Sequence, residues 1–236
     1  MTNVDKPAEL IIRLAQKEDR AKVDELRQAR CLGSNWKQLS TDNDPLDGAL
    51  LVACLPSSGK VVASVRLDLA ETQDLLINQL GLEVMASNRQ LPDHAVRLLW
   101  ETGHEFDRGA KHLPTVTVAR ACAENTRYDR ALRLACVRVV DFMHLDDRPV
   151  GSFMGVSLAK DPLVHHVATL GYDVSPVYWG EELFNGLHVA YRLRKCHFEQ
   201  VITTLDTAQK AGSIPRYHWE SAWPFQEHLP MFMRGK

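Results

Sequence analysis

The stretch "LPTVTVARACAENTRYDRALRLACVRVVDFMHL" spans residues 113–145, and two periodicities meet inside it. From Val116 to Cys122 the residues are β-branched or small and alternate, the pattern of a strand. Past Asn125 the spacing changes, and Leu132, Cys136, Val139 and Met143 fall on one face of a helix over 128–144. "VGSFMGVS" at 150–157 returns to strand character. Strand, helix and strand in this order have the length of a βαβ crossover between parallel neighbours. One residue jars. Arg120 sits at the end of an otherwise apolar strand, where a buried guanidinium demands a carboxylate, a phosphate or an aspartate beside it.

Working outward toward the N-terminus, Ala49–Leu55 and Lys60–Leu69 are two β-rich runs joined across "PSSG", which predicts a hairpin. Before it, Lys17–Arg30 is charged and proline-free with Val23 and Leu26 on one face, so a helix is expected. Glu9–Leu14 reads as a short edge strand. Toward the C-terminus, Asp161-Pro162 signals a helix start that Gly171 can close. "YDVSPVYWG" and "LHVAYRLRK" predict an antiparallel pair, and Glu199–Ala211 a last helix. Residues 70–114 hold two stretches of helical character. The whole chain, 1–236, is expected to form one domain of the α/β class, a three-layer αβα sandwich on a mixed sheet. Residues 199–236 would add a C-terminal helix and an aromatic-rich tail, either packed across the domain or contacting a partner.

The composition excludes several classes of function. With 28 basic and 30 acidic residues the net charge is −2, so no basic nucleic-acid footprint exists. No segment reaches the ~20 apolar residues of a membrane span. The N-terminus lacks the pattern of a signal peptide. Five scattered cysteines without a CxxC pair read as reduced thiols of a cytoplasmic protein. The histidines lack the spacing of a zinc site, so no metal is expected.

The chemistry-bearing residues cluster near the hairpin. Asp42, Asp44 and Asp47 crowd ahead of its first strand, and Arg66 lies in its second. Three aspartates make either a soluble turn or an anionic loop that an arginine fork can hold. Trp36 either caps the core or closes a pocket over a cation. Arg127 and Arg130 follow Arg120 at the start of the crossover helix. They are either a solvated face or partners for a phosphate held at the helix N-terminus.

Taken together, the element order resembles the GNAT acyltransferase fold, and the residues resemble the acyl-homoserine lactone synthase (autoinducer synthase) family within it. That family carries an arginine on its first helix, then a tryptophan, then E-x-D-x-[FY]-D before a strand. An arginine ends the next strand, and E-x-[ST]-R lies on the strand before the crossover helix. Arg27, Trp36, Asp42, Asp44, Asp47, Arg66 and Arg120 occupy these positions in order. Cys31 stands in place of a phenylalanine, Leu46 in place of the motif's aromatic residue and Thr117 in place of the last glutamate. The glycine-rich pyrophosphate loop of GNAT proteins is also absent, with Arg127, Tyr128, Asp129, Arg130 and Ala131 occupying that stretch. The long-chain N-acyl amino acid synthases share the fold and fit a relaxed version of the same motifs.

The resemblance implies transfer of a fatty acyl group from acyl-carrier protein or acyl-CoA to the amine of S-adenosylmethionine, with no cofactor. Asp47, Arg66 and Arg120 would be catalytic, and Arg27, Trp36, Asp44 and Thr117 would bind the small-molecule amine. Arg127 and Arg130 would meet the carrier or its phosphate. Glu101 and Glu124 are candidates for the base that Thr117 does not provide. An N-acyl amino acid synthase and a non-catalytic acyl-carrier-binding homologue are the two other expectations.

Overall fold

A computed structural model describes residues 9–30, 41, 49–72, 113–145, 148–158, 162–174 and 188–220. Its strands are β1 (Glu9–Leu14), β2 (Ala49–Cys54), β3 (Val61–Ala70), β4 (Thr115–Ala123), β5 (His144–Leu145), β6 (Arg148–Pro149), β7 (Ser152–Leu158), β8 (Asp173–Val174), β9 (His188–Arg194) and β10 (Arg216–Trp219). Its helices are α1 (Asp19–Arg30), α2 (Thr126–Phe142), α3 (Pro162–Thr169) and α4 (Phe198–Lys210). Among the described residues, eight strands form one mixed sheet in the order β10-β1-β2-β3-β4-β7-β9-β8. The β2–β3 hairpin and the β4–α2–β7 crossover both form where the sequence predicts them, with β4 and β7 parallel.

Alternation along the strands sorts the sheet into two faces. Leu51, Val65, Leu67, Val116, Val118, Phe153 and Leu193 face α2, α3 and α4 and form the main apolar core. On the opposite face Val23 and Leu26 of α1 pack on Val52, Cys54 and Val61. The arrangement is a mixed sheet with helices on both faces, as expected from the order of elements. Helix α2 begins at a proper cap, with Asn125 Oδ1 accepting from the Tyr128 amide at 3.0 Å.

One expectation is corrected. Strand β1 is not at the edge, because residues 216–219, read above as tail, form β10 and pair parallel to it from Glu9↔Arg216 to Ile12↔Trp219. Polar ties fix this returning segment. Arg138 of α2 holds Asp206 of α4 at 2.5 and 2.7 Å and donates to Tyr217 Oη of β10 at 3.0 Å. Four residues are too short a run for periodicity to register, and their partner lies across the whole chain. Trp223, Phe225 and the helical readings within 73–112 lie outside the described residues.

Candidate active site

The site begins where the central ladder ends. Strands β4 and β7 pair only from Thr115↔Ser152 to Val118↔Gly155, yet β4 continues to Ala123 and β7 to Leu158. The two strands part beyond Val118. On the other side of β4, Ser64 pairs with Cys122 and Arg66 with Ala119, so Val65 faces two residues, Arg120 and Ala121. This is a β-bulge, with Arg120 in the left-handed region at φ 52°. An L-residue pays for that conformation with a clash of its Cβ, about 1–2 kcal/mol. Thr117 and Arg120 stand three apart, so a regular strand turns them to opposite faces, and both line one cleft only if the strand is irregular near Val118 and Ala119; the irregularity lies one to two residues further on. Arg120 is buried, at 7% exposure.

Next to the bulge lies a buried polar row on the face that carries α1. Strand alternation puts Ser64, Arg66 and Asp68 on this face and Ala63, Val65 and Leu67 in the main core. Arg66 is 1% exposed and its Nε donates to Asp68 Oδ2 at 2.7 Å. Asp68 pairs in register with Thr117, whose Oγ1 donates to the Asp68 carbonyl at 3.3 Å. Thr115 and Ser152 share a buried hydroxyl–hydroxyl hydrogen bond of 2.7 Å one row away. Arg27 is buried in the last turn of α1, beside Leu26, whose carbonyl accepts a 3.7 Å contact from Cys122 Sγ of β4. Arg27, Arg66, Thr117 and Arg120 are thus gathered around β3, β4 and the end of α1. Trp36, Asp42, Asp44, Asp47 and Glu101 lie outside the described residues.

The sequence reading missed Asp68. Its signal is the two-residue step from Arg66, which puts both on one face of β3, and its register with Thr117 requires the fold. Glu124, one of the two candidate bases, forms an ion pair with Lys60 on the hairpin.

On the α2 side of the parting strands a narrow crevice is lined by Val65, Val118, Ala121, Leu132, Arg133 and Phe153. Cys136 also borders it, and burial pushes its thiol up to about 12, which leaves it protonated and unreactive. At the mouth of the helix, Arg127 donates to the carbonyls of Ser213 and Gly212 at 3.1 and 3.0 Å. That side chain ties α2 to the end of α4. Arg130 Nη2 meets His166 Nδ1 at 3.4 Å. No group of metal-ligating side chains occurs among the described residues, and no helix there is long and apolar enough to cross a membrane.

No family model matches the sequence, and no curated protein matches it either. Solved structures match in shape. FeeM, an N-acyl amino acid synthase from uncultured soil microbes, superposes with a TM-score of 0.53 at 8% identity, covering 84% of this chain and 97% of its own. The Drosophila melanogaster polyamine N-acetyltransferase, which forms N-acetylagmatine, gives a TM-score of 0.53 at 12% identity over 78% and 99%. The fold is that of the GNAT acyltransferases. TofI, in an apo form, gives a TM-score of 0.50 at 15% identity, covering 84% of this chain and 95% of its own. At such identities the GNAT likeness concerns the path of the backbone, and the chemistry rests on the residues at the parted strands.

Proposed function

We propose that this chain is an N-acyltransferase that moves an acyl group from an acyl thioester, on carrier protein or CoA, to the amine of S-adenosylmethionine. The observation that carries this reading is the buried Arg66–Asp68 pair beside the bulge at Arg120, where the β4–β7 ladder opens. The acceptor's amine nitrogen adds to the thioester carbonyl, the C–S bond breaks, and the departing thiolate takes up the proton the amine gives up. The acceptor's carboxylate then displaces methylthioadenosine at the sulfonium carbon, closing a lactone and cancelling the two charges.

Asp68 stands in for the glutamate that the resemblance places at Thr117. The two are register partners, so their side chains leave the same face of neighbouring strands. A carboxylate there orients the amine and accepts its proton. Arg66 holds that carboxylate in place through Nε, and arginines at 27 and 120 suit the acceptor's own carboxylate. Asp44 and Asp47 would add negative charge for the sulfonium, and Trp36 a ring face. Arg127 and Arg130 would lie toward the carrier.

The second reading, an N-acyl amino acid synthase, draws on the likeness to FeeM and on Thr117. It keeps the first step and omits ring closure. Purified protein with an acyl thioester and S-adenosylmethionine should release free thiol, methylthioadenosine and an acyl-homoserine lactone. Free N-acyl amino acid from an amino-acid acceptor selects the second reading. Carrier binding with no thiol release from any acceptor overturns both.

A further inference from the structure

The residue that ends the β4–β7 ladder is a glycine. Gly155 is the last partner of β4, opposite Val118, and on its other side it pairs with Tyr191 of β9. A Cβ at position 155 would stand 2.5 Å from Tyr191 Cζ and 2.9 Å from Cε2. Carbons pack no closer than about 3.5–4.0 Å, so the phenol ring lies in the volume that any other side chain would take. The strand order is β4-β7-β9. A ring that reaches from β9 across β7 therefore heads for the place where β4 and β7 part.

The ring is held there by its neighbours. Tyr191 is buried, and Tyr172 packs edge-on against it with ring centroids 5.9 Å apart. The Arg133 guanidinium carbon lies 5.9 Å from the Tyr191 centroid, a contact that adds attraction to packing. Arg133 is itself buried in α2 and fixed by Asp129, whose Oδ2 accepts from its Nε at 3.2 Å. Between α2 and the sheet, Val65, Val118, Leu132 and Phe153 close in on a crevice with room for about one water molecule. An acyl carbonyl at the parting point has space behind it for a methyl group and little more. A fatty chain entering on this side would have to displace packed core.

We propose that Tyr191, seated over Gly155, fixes the acyl length: its ring shuts the core side of the opening, and the donor is a short thioester of the acetyl or propionyl class. The proposal rests on the acyltransferase reading and deepens it by naming the acyl class and the residue that selects it. Gly155 is the enabling half of the device, because a side chain there would push the ring out of the gap. Tyr172 and Arg133 are positioning residues that keep the ring from swinging aside.

The test follows thiol release from acetyl-CoA and octanoyl-CoA, with S-adenosylmethionine or an amino acid as acceptor. Wild-type protein should prefer acetyl-CoA by about tenfold or more in kcat/KM. Tyr191→Leu, shorter but still apolar, should raise octanoyl transfer about tenfold, and Tyr191→Phe should keep the wild-type preference because the ring does the blocking. Octanoyl-CoA used as fast as acetyl-CoA by the wild type overturns the proposal and leaves the acyltransferase reading intact. An equal loss of both donors in folded Tyr191→Leu also overturns it, because Tyr191 then serves the part common to them. The packing has a readout of its own. Gly155→Ala should lower the melting temperature of the wild type and cost far less in the Tyr191→Leu background; equal costs overturn the proposed contact. If no donor releases thiol to any acceptor, the acyltransferase reading fails and binding decides the length. Acetyl-CoA must then raise the melting temperature more than octanoyl-CoA does, and an equal rise or none overturns the proposal.

Discussion

The two faces of the sheet use the same strands and obey different rules. On the α2 face, Leu67, Val116, Leu134 and Phe153 are fully buried and apolar. On the α1 face, the intervening residues of β3 and β4 include Ser64, Arg66, Asp68, Thr115 and Thr117, equally buried and polar. Burying those groups costs desolvation that a valine or leucine would avoid. A fold maintained for stability alone has no use for that row. On the proposed reading, the contrast separates the apolar packing that holds the domain together from the polar row that would carry its chemistry.

That separation can be attacked directly. Removing Arg66 or Asp68 singly breaks a buried ion pair, which costs about 3–5 kcal/mol. Arg66→Met with Asp68→Leu should recover most of the melting temperature lost by either single change, yet leave acyl transfer abolished. A double variant that turns over like the wild type would erase the distinction between the faces. On the other face, Leu134→Ala should lower stability by about 2–5 kcal/mol in denaturant titration. Its kcat, measured on the folded fraction, should stay unchanged; a fall in kcat with stability intact would place function in the core.

A third check concerns the attachment of α1, whose first residue Asp19 is gripped by Arg13 of β1 and accepts from the Gln16 amide at 2.8 Å. The hydrogen bond from Arg13, opposed by burial, holds the Asp19 carboxyl below its ordinary 3.8. A folded value below the unfolded one gives stability that is fully present above 3.8 and lost as pH falls past it. Asp19→Asn should cost about 1.5–3 kcal/mol at neutral pH and flatten the acid limb of the stability curve. An unchanged acid limb would mean that the pair contributes nothing. The smallest effect lies in the backbone at Arg120. Arg120→Gly should be more stable than Arg120→Ala by about 1 kcal/mol, because glycine occupies the left-handed region freely. Both should lose activity along with Arg120→Lys. Equal stability of the glycine and alanine variants would argue that the bulge relaxes when the side chain goes.

The contrast also explains what could be read in advance. The hairpin, the crossover helix and β4 were legible because local periodicity and a turn signal decide them. The bulge was legible only in outline. Two residues three apart on a strand cannot share a face, so the motif demanded an irregularity without saying which residue turns. Asp68 escaped because its meaning depends on register with Thr117, and β10 escaped because its partner is β1. Arg133 escaped for another reason. On a helix rich in arginine, at positions 127, 130, 133 and 138, composition cannot tell the one that turns inward from those at the surface.

Parallel pairing of β1 with β10 also ties the schedule of folding to that of synthesis. Roughly 200 residues separate the two strands, and at about 5–20 residues per second the wait is roughly 10–40 s on the ribosome. Throughout that interval the amides and carbonyls on the outer side of β1 have no ladder to join, and the nascent hairpin sheet presents a sticky border. A chain shortened before Arg216 would keep that border permanently. The four residues Arg216–Trp219 act as a late-arriving seal, and their loss should show first as aggregation in cells.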